Sequence, residues 1–79
     1  MNESQIRDVL AAHARLPVNA YELGAADDLY AAGLTSHASV NVMLALEDAF
    51  DIEFPDRMLR KATFGSVGAI NAAVLELTA

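Results

Sequence analysis

Few residues in this chain have the type and placement to do chemistry. Ser36 and His37 are adjacent where the pattern predicts the start of a helix. Helix neighbours diverge by roughly 100°, so His37 is badly placed as a base for Ser36. His13 and His37 lie far apart and lack the companions of a zinc site, and no metal ligand is assigned. There is no Cys, hence no disulfide framework and no thiolate chemistry. The acids read as solvated surface, not as a pair facing across a cleft. No catalytic residue is assigned, and the chain is expected not to be an enzyme. Ser36 has another use. Helix N-termini present free N–H groups and the positive end of a dipole, so a phosphate ester on a serine there is well placed. The competing use is structural, with Ser36 or Thr35 a plain N-cap.

The elements that position Ser36 follow from periodicity. Ala occupies 16 positions and is the best helix former. No strand-like alternation persists, so the chain reads as all-α. A first helix is predicted over about 3–14, with Asn2 and Gln5 as a capping pair and Ile6, Val9, Leu10 and His13 on one face. Pro17 ends it. Residues 17–35 form a long connection, too apolar for a free linker, with a turn of helix expected near 27–31. A second helix is predicted over about 36–50. Its core stripe is Val42, Met43, Leu46, Ala49 and Phe50, and Val40 and Leu44 face away. Pro55 opens a short third helix at about 55–60. A fourth starts near Thr63 or Ser66 and runs to about 77, burying Val67, Ile70, Val74 and Leu77.

Composition bounds the function. The chain has 79 residues and a formal charge of −6, which argues against nucleic acid as a partner. Residues 16–56 hold eight acids and no Lys or Arg, a field that attracts basic partner surfaces. Leu, Ile, Val and Phe number 22, above the range of disordered chains. No apolar run reaches the ~20 residues that span a bilayer, and no secretory signal is evident. A single domain over 1–79, monomeric, cytoplasmic and not membrane-bound, is the expectation.

Three segments then carry a resemblance. Asp28-Leu29-Tyr30-Ala31-Ala32-Gly33-Leu34-Thr35-Ser36-His37 resembles the modification site of acyl carrier proteins, roughly D-L-(three residues)-G-(apolar)-D-S-L. Leu46-Glu47-Asp48-Ala49-Phe50-Asp51-Ile52-Glu53-Phe54-Pro55-Asp56 is similar to the family's L-E-x-x-F-x-I-x-I-P-D. Thr63-Phe64-Gly65-Ser66-Val67 resembles the family's approach to the last helix. The pieces stand in order over about residues 3–77.

The resemblance implies a four-helix bundle of acyl-carrier-protein type, with three longer helices, a short third one and a long loop between helices one and two. It implies 4′-phosphopantetheine attached to Ser36 by a phosphopantetheinyl transferase, from coenzyme A, with acyl groups carried on its thiol as thioesters. Partners would be acyl- or aminoacyl-activating and transferring enzymes with basic surfaces. Thr35 and His37 depart from the family's D-S-L, and Ala38 and Asn41 replace family acids. These departures point to a specialised pathway rather than housekeeping fatty-acid synthesis. His37, Val40, Asn41, Leu44, Glu47 and Asp48 are the expected docking residues. One alternative is a stand-alone aminoacyl carrier protein charged by a dedicated amino acid-activating ligase. The other is an unmodified acidic helical interaction module.

Overall fold

The computed structural model describes residues 2–78. Three long helices carry the fold: α1 (Asn2–His13), α3 (Ser36–Phe50) and α4 (Val67–Thr78). A single turn, α2 (Leu29–Ala32), precedes α3. No strand occurs among the described residues. The capping role expected of Asn2 lies outside the described side chains.

Helix α1 packs against both α3 and α4, so its apolar face is the centre of the bundle. Ile6, Val9 and Leu10 are buried on that face as their spacing predicts. His13 is not: it is exposed, and Ala14 takes the last inward position. On α3 the inward row is Ala38, Val42 and Leu46, one turn apart. Met43 and Phe50 are half-buried, and Ala49 is exposed beside an open groove between α1 and α3. Helix α4 starts after Ser66, whose Oγ accepts the Ala69 N–H at 3.0 Å. Val67, Ile70 and Val74 are fully buried, and Leu77 is half-buried at the end. Burying each such aliphatic side chain stabilises the fold by about 1.5–3 kcal/mol.

The short third helix predicted at 55–60 takes the form of two 3₁₀ turns, Asp56–Met58 and Lys61–Phe64. The chain breaks between them because Met58 and Phe64 must both reach the core. Arg60 is extended there (φ −132°, ψ 155°). Phe64 then meets Phe54 edge-on, with ring centres 5.2 Å apart.

The connection between α1 and α3 is held by side chains and by backbone. The Arg7 guanidinium donates to the carbonyls of Ala20 and Leu23 at 2.8 and 2.6 Å and also meets Glu3. Its side chain is only 15% exposed, so these bonds are shielded from water. Tyr21 Oη donates to Asp8 at 2.6 Å, and this bond, with some desolvation and the Asp8 charge, pushes the phenol pKa up. Asp28 caps α2 by accepting from the Tyr30 and Ala31 N–H groups. Two backbone bonds then tie the connection to the start of α4. The Leu29 N–H donates to Gly65 O at 2.7 Å, and the Gly68 N–H to Ala25 O at 2.9 Å. Gly33 ends α2 at φ +124°, where a Cβ would fall 2.7 Å from Pro17 Cδ.

Two variants test this scaffold. Arg7→Met should lower unfolding free energy by about 2–3 kcal/mol in urea titration, because two shielded carbonyls lose a charged donor. An unchanged midpoint would remove Arg7 from that role. Gly33→Ala combines a strained φ with a clash, at a cost of about 1–3 kcal/mol. Its melting temperature should fall by about 4 °C or more in a thermal scan.

Candidate functional site

Thr35 is the residue that caps α3. Its backbone is extended (φ −91°, ψ 162°), and its Oγ1 accepts the Ala38 N–H at 3.0 Å. Ser36 is therefore the first helical residue, with an exposed side chain. Its carbonyl, not its hydroxyl, is engaged: Ser39 Oγ donates to it at 2.7 Å. The cap is satisfied without the serine, whose Oγ is left to face solvent at the positive end of a 15-residue helix.

Five of the six expected docking residues share one exposed arc of α3. Val40, Leu44, His37, Asp48 and Asn41 fall in that order across roughly 100° of helix. Val40 and Leu44 are 50% and 54% exposed, so the connection does not cover them. Glu47, the sixth, is less exposed than these five. It is half-buried, and its Oε2 accepts the Phe54 N–H at 2.9 Å. Its carboxylate holds the turn that follows α3, and Asp48 is left as the free acid on the arc.

Two features here escaped the sequence reading. The first is Arg15, exposed at the end of α1 in the left-handed conformation (φ 54°). It lines a groove with Asn41, Leu44 and Asp48, so a cation borders an arc expected to be acidic. The second is an apolar groove of about 360 Å³ on the other side of α3, with Ser36 among its lining residues. Val40, Met43, Leu59 and Phe64 form its apolar surface, and Arg60 and Lys61 also line it. Lys61 Nζ stands 4.7 Å from the centre of the Tyr30 ring, which lines the same groove. A cation–aromatic pair 31 positions apart gives no signal in a linear pattern.

Among the described residues, no group of three or more His, Asp or Glu is placed to hold a metal ion. No described helix is long and apolar enough to cross a membrane. His37 lies on that exposed arc, about 100° around the helix from Ser36. The site can thus offer an exposed hydroxyl beside a groove and an exposed, partly apolar face of α3.

Comparison with known proteins agrees with this geometry. The family described as "Phosphopantetheine attachment site" matches residues 4–74. An aminoacyl carrier protein of Agrobacterium fabrum is 49% identical over 69 residues, 87% of this chain and 83% of that protein. A crystal structure of an engineered Bradyrhizobium japonicum glycine:carrier protein ligase, complexed with carrier protein from Agrobacterium tumefaciens and ATP, contains a similar chain. That chain is 44% identical with a TM-score of 0.94, covering 98% of this chain and 100% of its own length. Another structure holds the Bradyrhizobium japonicum ligase complexed with glycylated carrier protein. There the match is 27% identical with a TM-score of 0.77, over 90% of this chain and 95% of that one. An all-helical bundle, a family match spanning nearly the whole chain and close kinship to an aminoacyl carrier lead to one conclusion: this chain belongs to the phosphopantetheine-bearing acyl and aminoacyl carrier proteins, which carry cargo and are not themselves catalysts.

Proposed function

We propose that Ser36 bears the 4′-phosphopantetheine arm and that the chain is a stand-alone aminoacyl carrier. The observation that supports the attachment residue is the division of roles at the start of α3. Thr35 caps the helix, and the Ser36 side chain stays exposed. A phosphopantetheinyl transferase provides the base. Ser36 Oγ gives up its proton and bonds to the phosphorus that carries pantetheine in coenzyme A, and adenosine 3′,5′-bisphosphate leaves. The arm supplies the terminal thiol for thioester linkage, a group this Cys-free chain lacks.

The aminoacyl cargo rests on kinship. The 49% identical relative is an aminoacyl carrier protein, and two similar chains occur in complexes with a glycine-activating ligase. Thr35 and His37 in place of the acyl-carrier D-S-L fit a specialised partner set better than fatty-acid synthesis. His37, Val40, Asn41, Leu44 and Asp48 form the docking arc, with Glu47 supporting it from behind. The partner enzyme meets Val40 and Leu44 with an apolar surface and Asp48 with a basic group. The carrier works in the cytoplasm as a monomeric single domain, with no nucleic-acid or membrane partner.

Intact mass after incubation with coenzyme A and a broad-specificity transferase should rise by one phosphopantetheine, and Ser36→Ala should show no gain. Protein left unmodified both there and in its native cells would overturn the carrier-serine assignment. The modified chain, given glycine, ATP and the Bradyrhizobium-type ligase, should gain one glycyl group. Charging only by a fatty acyl-activating enzyme would replace the aminoacyl reading with an acyl one. Leu44→Asp should lower kcat/KM for charging by about tenfold or more, equivalent to ~1.4 kcal/mol, with the unfolding midpoint unchanged. Equal charging rates would remove the arc from recognition.

A further inference from the structure

We propose that Arg15 is a recognition cation that meets a carboxylate on the activating ligase. The docking face is then bipolar, positive beside the start of α3 and negative at Asp48. This rests on the docking arc set out above and adds to it a residue from outside α3. Arg15 follows α1 with its backbone in the left-handed region (φ 54°). Glycine is the usual residue at a helix end in that conformation, because it meets no steric penalty there. This chain keeps an arginine instead. The residue is exposed, and among the described residues no carboxylate stands at ion-pair distance from it. No ion pair within the fold therefore offsets the backbone strain. Strain held in place without an internal use points to a use outside the fold.

Arg15 and Asn41 are shared by two grooves on the α1 side of α3. One groove leads toward Gly33, Thr35 and His37, the turn into Ser36. The other leads past Leu44 to Asp48. Among the described residues, no other Lys or Arg lines either groove. The sequence has no acid between residues 29 and 46, so nothing along this part of α3 neutralises the guanidinium. Asp48 lies two turns beyond Asn41, about 10 Å along the axis. In a molecule of charge −6, the local charge at this end is inverted. A partner surface that is basic throughout would set like charges against Arg15 and lose affinity. A polyanionic partner would be repelled by the rest of the molecule. A protein surface with a carboxylate at Arg15, an apolar patch at Leu44 and a basic group at Asp48 meets all three conditions. The planar guanidinium suits a carboxylate through two parallel hydrogen bonds. Arg15 thereby attracts the matching ligase and rejects enzymes that read a carrier by negative charge alone.

The test measures charging of the modified chain by the Bradyrhizobium-type ligase, with glycine and ATP saturating and the carrier concentration varied. Arg15→Gln should raise KM for the carrier by about three- to tenfold and leave kcat in place. Arg15→Lys should keep most of the parent efficiency, and Arg15→Glu should be charged more slowly than Arg15→Gln. The gap between Arg15→Gln and the parent should narrow in high salt. Arg15→Gly removes the cation and the strain together, so its urea midpoint should be no lower than the parent's while its KM is still raised. A raised KM found only in variants whose midpoint also falls would make Arg15 structural and overturn the proposal. Arg15→Gln and Arg15→Glu charged as fast as the parent or faster, with Leu44→Asp slow, would overturn the proposal alone. Leu44→Asp charged at the parent rate as well would overturn the docking arc and this proposal with it. No charging of the parent chain would overturn both this proposal and the aminoacyl reading.

Discussion

Arg7 donates to the carbonyls of Ala20 and Leu23 from a position shielded from water, and the connection between α1 and α3 takes its path from those bonds. A long connection can lie against a core only if its backbone groups are satisfied there. Arg7 does this near the start, the Asp28 cap does it in the middle, and the bonds to Gly65 and from Gly68 do it against α4. With the path fixed, Leu29 and Leu34 enter the core, and Gly33 turns the chain into Thr35. The place where α3 begins is therefore a product of the connection as much as of the helix itself.

That beginning determines what Ser36 can do. A serine at the cap would accept a backbone N–H and lose its freedom to react. Thr35 removes that competition by taking the bond to Ala38. The polar demand of the helix end and the exposure of a hydroxyl are met by neighbouring residues, one with an extended backbone and one helical. At the other end of α3, Glu47 makes a similar contribution by accepting from the Phe54 N–H and holding the turn toward the 3₁₀ segment.

Much of this was legible in the sequence. The rows Ile6–Val9–Leu10 and Val67–Ile70–Val74 are periodic, and periodicity reports burial directly. Ser36 stands out in the sequence through a run of neighbouring residues whose order resembles a known motif. The parts that were hidden depend on contacts between distant positions. Glu47 looked like a surface acid because its partner is a backbone N–H seven residues on. His13 fits the spacing of α1 but falls past the end of the core, where Ala14 suffices. The third helix became two 3₁₀ turns because Met58 and Phe64 each need the core, a demand that no local propensity encodes. The groove was missed because its walls, Tyr30, Val40 and Leu59 to Phe64, meet only in three dimensions.

The two backbone bonds between the connection and the start of α4 also bear on how the molecule opens. Ala25 and Leu29 are bonded across to Gly68 and Gly65, so neither segment can peel away while the other stays in place. Amide exchange in these two stretches, nearly forty residues apart in sequence, should follow one shared opening rather than two independent ones. The part of the fold that leads into Ser36 and the part that closes the bundle would then form a single cooperative unit.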